Sequence, residues 1–155
     1  MNRRPSGFSL VEVVLALGVL SFSILAIMGI IPAGLSSSRS SQDETRAAQL
    51  AQMVFASLAS GAPSNFASVP ITAVGGNIAI DLTGSATQTL YGDNAGQLTS
   101  TEAGAVYLVT IKTDNSPSEF DPLSANQVTV QVAWPALAPA PSQTKRDFIR
   151  IISRF

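Results

Sequence analysis

Glu12 is the one charged residue in a run of 24 residues, 8–31, that is otherwise uncharged. An ionised carboxylate inside a membrane-spanning segment costs about 2.5–3.5 kcal/mol on insertion scales, so such a residue usually has a functional partner. In an apolar medium a carboxylate can form an ion pair with a cation, because opposite charges attract strongly where the dielectric constant is low. The sequence therefore predicts a functional role for Glu12; the alternative is a protonated or water-exposed carboxyl group near a helix end.

The reactive side chains of the remaining sequence argue against an enzyme. The chain has no cysteine and no histidine, which excludes thiolate nucleophiles, disulfides, Cys/His zinc sites and Ser-His-Asp triads. Asp81, Asp93 and Glu102 are scattered, and no two of them pair as an acid and a base. The formal net charge of −1 gives no basic field for nucleic acid. We expect no catalytic residue, no cofactor and no nucleic-acid partner.

Residues 114–121 (DNSPSEFD) place three carboxylates in one short segment, Asp114, Glu119 and Asp121. Oxygen-rich loops can bind calcium. The spacing fits no EF-hand and the segment contains no glycine, so the composition favours a solvated loop between two strands. We therefore assign no metal to it.

A basic cluster lies near the C-terminus and consists of Lys145, Arg146, Arg150 and Arg154. Spacings of four along a strand are typical of one solvated face. An acidic lipid or a neighbouring subunit is the alternative partner for these cations.

Residues 8–31 are long enough to cross a membrane. As an α-helix they would measure about 36 Å, against about 30 Å for a hydrocarbon core. Arg3 and Arg4 precede the run and predict that the extreme N-terminus stays in the cytoplasm. A secretory signal peptide has an apolar core of only about 7–15 residues, and a plain single-pass anchor leaves Glu12 unexplained. An anchor preceded by a processing site fits both features.

The hexamer at residues 7–12 (GFSLVE) resembles the prepilin cleavage and N-methylation motif of type IV pilins and type II secretion pseudopilins. In that family the leader ends in glycine, the next residue is usually phenylalanine, and a glutamate is the fifth residue of the mature chain. Gly7, Phe8 and Glu12 occupy these positions here. The basic leader and the long apolar run match the family as well.

The resemblance implies a role for each of these residues. Prepilin peptidase would cut after Gly7 and methylate the new N-terminal amine of Phe8, which remains a cation. Glu12 would pair with that amine of a neighbouring subunit and so fix the register of a filament. Residues 1–7 would be the leader, and residues 8–35 an inner-membrane helix that also drives assembly. The rest of the chain would lie on the periplasmic side.

The segment 36–62 predicts an amphipathic helix. Its apolar residues recur at spacings of three and four; they are Ala47, Leu50, Ala51, Val54, Phe55 and Leu58. The serine-rich residues 36–41 suit either a hinge or a turn of one continuous helix. Ser41 and Glu44 have the spacing of a capping box, which signals a helix start. Gly61 and Pro63 predict the helix end.

Residues 63–155 change to the period of two that half-buried strands show. The predicted strands lie near residues 78–82, 89–91, 97–99, 106–112, 127–134 and 147–153, with 92–96 as a hairpin loop. The predicted fold class is α+β, a long hydrophobic helix that continues into an amphipathic helix packed on a small antiparallel sheet. The strand that ends in Trp134 resembles V- and I-type minor pilins and pseudopilins. Residues 8–58 resemble the Verru_Chthon cassette protein B group.

These features predict a structural subunit of a type IV pilus or a type II secretion-type filament, either a minor pilin or a minor pseudopilin. Its expected partners are related subunits, prepilin peptidase and the inner membrane. The alternative is a membrane-anchored extracytoplasmic binding domain that does not polymerise. An anchored enzyme is the weakest hypothesis, because the chain lacks cysteine and histidine.

The mass of the mature chain tests the predicted processing site. We expect intact-protein mass spectrometry to show a chain that begins at Phe8 and carries one added methyl group on its N-terminal amine. The same chain expressed without a prepilin peptidase should keep residues 1–7. A mature chain that retains Met1, or one cleaved after Pro32, would contradict the prediction.

Overall fold

The computed structural model describes residues 7–62, 66–114 and 125–153. Within these residues the chain forms one α-helix, seven strands and a short 3-10 helix, Ala140–Ser142. In chain order the elements are α1 (Leu10–Gly61), β1 (Val69–Ile71), β2 (Ile78–Ile80), β3 (Ala86–Gly92), β4 (Leu98–Thr99), β5 (Tyr107–Asp114), β6 (Ala125–Trp134) and β7 (Thr144–Ser153). The chain divides into an N-terminal unit, Met1–Ser41, and a C-terminal unit, Gln42–Phe155.

α1 runs without interruption for 52 residues. It passes through Pro32 and through the serine-rich residues 36–41, so of the two alternatives for these serines the continuous helix is correct. The capping-box interpretation of Ser41 is wrong, because this residue lies inside α1 and its hydroxyl donates to the Ser37 carbonyl at 3.0 Å. The predicted end is confirmed, since α1 stops at Gly61.

The strands form two antiparallel sheets. The larger has the order β4-β3-β5-β6-β7, and the smaller pairs β1 with β2. The predicted α+β class is confirmed, as are the β3–β4 hairpin and the strands β5, β6 and β7. β1 was not predicted, because it has only three residues and Pro70 is its middle one. A strand in a two-stranded sheet has a free edge, where a residue without an N–H is tolerated.

The core of the C-terminal unit forms between α1 and the sheets. All six residues of the predicted apolar stripe on α1 are buried, and they belong to one cluster with the strands. The strands contribute alternate residues, as a sheet with one covered face must; those of β5 and β6 are Tyr107, Val109, Ile111, Val128, Val130, Val132 and Trp134. The sheet thus covers the apolar stripe of the helix, as the period of three and four predicted.

Gly92 marks the closest approach of α1 to the sheet. A Cβ placed on Gly92 would lie 2.6 Å from Cδ1 of Leu50 and 3.1 Å from Cβ of Tyr107. Leu50 and Tyr107 are fully buried, so neither has free space into which it can move. Only a residue without a side chain fits this position.

Gly92→Ala is expected to destabilise the C-terminal unit by about 1–3 kcal/mol, because the added methyl overpacks the core. Chemical denaturation of the full chain in detergent measures the change. Gly84→Ala is the matched control, since a Cβ there meets nothing within 4 Å. Leu50→Ala combined with Gly92→Ala should cost less than the sum of the two single changes. Equal stabilities of the two glycine variants would contradict this account.

Candidate functional site

Phe8 and Glu12 lie beside each other at the start of α1. Ser9 begins the helix, because its hydroxyl accepts a hydrogen bond from Val11 N–H at 3.3 Å and its carbonyl accepts from Glu12 N–H at 3.0 Å. Phe8 precedes the first helical residue, Leu10, and its side chain lies on the same side as that of Glu12. Together they border a shallow apolar groove whose other lining residues are Val13, Ala16, Leu17 and Leu20.

The Glu12 carboxylate is exposed and makes no ion pair or hydrogen bond with the described residues. The apolar side chains around it are also uncovered. From Phe8 to Leu35 each large apolar residue is exposed, over a range from 47% at Ile24 to 85% at Phe8. An apolar surface of this extent marks contact with lipid or with other protein. The described part of α1 is long and apolar enough to cross a membrane, which is compatible with single-pass anchoring.

The hydroxyls of Ser21 and Ser23, within this apolar stretch, form hydrogen bonds to the backbone of their own helix. Ser21 donates to the Leu17 carbonyl and Ser23 to the Val19 carbonyl, each at 2.8 Å. Such bonds to a carbonyl one turn back remove the need for an outside partner. Glu12 therefore differs from these serines, because no described residue supplies a partner for its carboxylate.

Several predicted features lie outside the described residues. Arg3, Arg4 and most of the leader precede residue 7, and Arg154 follows residue 153. Of the acidic segment 114–121, only Asp114 is described, as the last residue of β5. Within residues 7–62, 66–114 and 125–153, no group of three His, Cys, Asp or Glu could hold a metal ion.

The basic cluster lies on β7, as predicted. Its members do not act as one group, since Arg146 forms an ion pair with Glu44 of α1. The side chains of Lys145 and Arg150 are exposed and have no ion pair or hydrogen bond within the described residues. The prediction of a single solvated face is therefore wrong. Lys145 and Arg150 are exposed but lie on opposite faces of β7, and Arg146 joins the strand to the helix.

Sequence reasoning missed the polar contacts between α1 and the sheet. The Tyr107 hydroxyl donates to the Asp43 carboxylate at 2.8 Å, across 64 residues of sequence. Arg46 donates to the Asn94 side chain at 2.9 Å, in the loop between β3 and β4. No local pattern indicates such pairs; the only sequence signal was a cluster of charges, 43–46, on the first turns of the predicted amphipathic helix.

The ionisation of Tyr107 is perturbed by its surroundings. Burial raises the pKa of the hydroxyl above its usual value, and the hydrogen bond to the Asp43 carboxylate raises it further. The nearby Arg46 lowers the pKa, with a smaller effect than the burial. The neutral hydroxyl is therefore the form that this contact stabilises.

No model of a protein family matches the chain, and no curated protein or solved structure is significantly similar to it.

Tyr107→Phe is expected to lower the free energy of unfolding by about 1–2 kcal/mol near neutral pH, because Asp43 loses its hydrogen-bond donor. The folded pKa of Tyr107 lies above the unfolded one, so its contribution is complete below about pH 10 and disappears as pH rises through the folded pKa. Denaturation at neutral and alkaline pH should therefore show the variant losing less stability than the parent. Tyr91→Phe is the control, since its hydroxyl has no described hydrogen bond. Equal pH dependence in all three chains would contradict the assignment.

Proposed function

We propose that this chain is a pilin-like structural subunit, a minor pilin or minor pseudopilin, of a type IV pilus or type II secretion-type filament. In this proposal prepilin peptidase cuts between Gly7 and Phe8 and methylates the Phe8 amine. The apolar part of α1 holds the subunit in the inner membrane, with the C-terminal unit on the periplasmic side. The partners are related subunits.

The observation that carries the proposal is the Glu12 carboxylate on an uncovered apolar helix. A carboxylate in this setting is destabilising unless a cation neutralises it. After cleavage at Gly7 a cation would exist four residues before Glu12, as the amine of Phe8. Removing residues 1–7 thus creates the charge that Glu12 lacks.

Pairing between subunits follows from the exposure of the helix. Side chains on all sides of α1 are uncovered between residues 8 and 35, so neighbouring helices can surround it once it leaves the lipid. Dispersion contacts between such helices carry no information about axial position, because apolar side chains pack in many registers. One carboxylate and one amine per subunit would select a single register, since any other alignment leaves both charges unpaired.

Glu12→Ala is the experiment that tests the proposal. We expect membrane insertion to be unchanged, or slightly improved, because the variant removes a charge from the apolar segment. Co-assembly with related subunits should be lost. Glu12→Gln keeps the size of the side chain without its charge and should fail in the same way. Glu102→Ala, which removes a carboxylate from the C-terminal unit, is the matched control.

Co-assembly can be read by disulfide cross-linking. The chain has no cysteine, so Leu17→Cys or Leu20→Cys in the groove beside Glu12 gives a single reporter thiol. Its partner is a cysteine introduced into the related subunit, and an added oxidant joins the two thiols as a disulfide. Cross-links should form in membranes that contain the assembly machinery and should disappear with Glu12→Ala. Cross-links that survive this change would contradict the role of Glu12. Correct processing and insertion with no cross-links in the parent chain would favour the anchored binding domain.

A further inference from the structure

The two edges of the larger sheet differ in length and in cover. The edge strand β4 has two residues, and Val74 bridges to Thr99 on its outer side, with Val74 N–H donating to Leu98 at 2.8 Å. The opposite edge, β7, pairs with β6 through ten consecutive residues and has no described partner on its outer side. Among the described residues, the sheet therefore ends on one side in a two-residue strand that Val74 covers, and on the other side in a ten-residue strand with no outer partner.

β7 lacks most of the features that protect edge strands from pairing. Such strands are usually very short, interrupted by a bulge or a proline, or covered by another element. β7 has ten residues without a proline, and its pairing with β6 skips no residue. It also carries Ile149 and Ile151, which are 63% and 50% exposed. A long, regular edge with exposed apolar side chains is the geometry to which an extended peptide can add a strand.

The pairing with β6 defines the two faces of β7. Arg150 and Phe148 lie opposite the buried Val128 and Val130, so they are on the side of the sheet that α1 covers. Ile149 and Ile151 are on the other side. Arg150 also lines a shallow cavity together with Gln52, Phe55 and Ala56 of α1. A strand added to β7 would run beside this cavity, with alternate side chains directed to each face.

The charge of β7 selects the chemistry of the added strand. The strand has three cations and one anion, whereas the whole chain has a net charge of −1. Asp147 accepts a hydrogen bond from Gln131 at 2.8 Å, and Arg146 is paired with Glu44. Lys145 and Arg150 remain without a described counter-ion, one on each face of the strand. Carboxylates on a neighbouring strand would neutralise both, and cross-strand pairs of opposite charge stabilise a sheet.

We propose that β7 is a docking edge for an extended, acidic peptide segment of a partner protein, which adds to the larger sheet as a sixth strand. Backbone hydrogen bonds would supply the affinity, and Lys145 and Arg150 the preference for carboxylates. This proposal does not depend on the filament role, because it uses only residues of the C-terminal unit. Its failure would leave the account of Glu12 untouched.

The test uses the full chain in detergent micelles and fluorescent peptides of the same length as β7. The probe repeats the unit Thr-Glu-Glu-Thr, so that its carboxylates lie on both faces of the added strand. The control peptide has lysine in place of each glutamate. A third peptide keeps the glutamates and carries N-methyl groups that remove alternate backbone donors. Fluorescence anisotropy at low ionic strength should show binding of the first peptide only. Added salt should weaken that binding, because the charges involved are exposed.

Variants then locate the site. Arg150→Glu should weaken binding of the acidic peptide about tenfold, since it converts an attraction into a repulsion. Lys112→Glu makes the same change of charge on an exposed residue of β5, away from the edge, and should have little effect. Lys145→Glu combined with Arg150→Glu should bind the lysine peptide instead. Circular dichroism of each variant checks that the fold is kept. If Arg150→Glu does not fold, Lys145→Glu alone tests the loss of acidic-peptide binding.

Four results would overturn the proposal. Equal binding of the acidic and basic peptides would show that charge does not select the partner. If the N-methylated peptide bound as tightly as the unmodified acidic one, binding would not occur by strand addition. Absence of binding to any peptide would mean that the cations only protect the edge. Self-association of the chain, abolished by Arg150→Glu and unaffected by the acidic peptide, would mean that a second copy occupies β7.

Discussion

Burial of the apolar stripe of α1 is the interaction on which the C-terminal unit depends. The larger sheet is apolar on one face, and a sheet of this kind is stable only when another element covers that face. The helix is the element that does so, and its stripe belongs to the same cluster as the strands. Gly92 sets how closely the two approach, because Leu50 occupies the space of a side chain there. Contacts of Asp43, Glu44 and Arg46 with Tyr107, Arg146 and Asn94 then fix the position of the helical residues 42–61 within the C-terminal unit.

The same helix meets two different requirements along its length. Between residues 8 and 35 its large apolar residues are exposed on all sides, so this part needs an apolar surrounding that the chain itself does not supply. Within residues 42–61 the buried apolar residues share one side, and exposed residues such as Gln49 and Gln52 lie on the other. This change from an all-round apolar helix to an amphipathic one occurs without a break in the helix.

The parts of the fold that the sequence predicted are those in which local period and tertiary burial agree. The stripe of α1 and the alternating valines of β6 are of this kind, since one face of each is fully covered. The helix start predicted from the capping-box spacing of Ser41 and Glu44 was wrong, because a capping box is a purely local pattern. In the folded chain Glu44 pairs with Arg146, which is 102 residues away, and α1 simply continues. β1 was missed since three residues around Pro70 show no period. At the candidate site, the structure places Phe8 and Glu12 along one groove, while their chemical roles rest on the motif and stay predictions.

The hydroxyls of Ser21 and Ser23 are bonded to carbonyls of their own helix. The hydroxyl donors of these two serines are therefore satisfied within the helix. They need no hydrogen bond to water or to a neighbouring chain. Moving such a segment from one apolar solvent to another makes and breaks no hydrogen bond at these positions. The free energy of that transfer is then governed by the packing of side chains alone, with a single electrostatic contribution from Glu12. A helix built in this way can exchange one apolar surrounding for another without losing a hydrogen bond at these two positions.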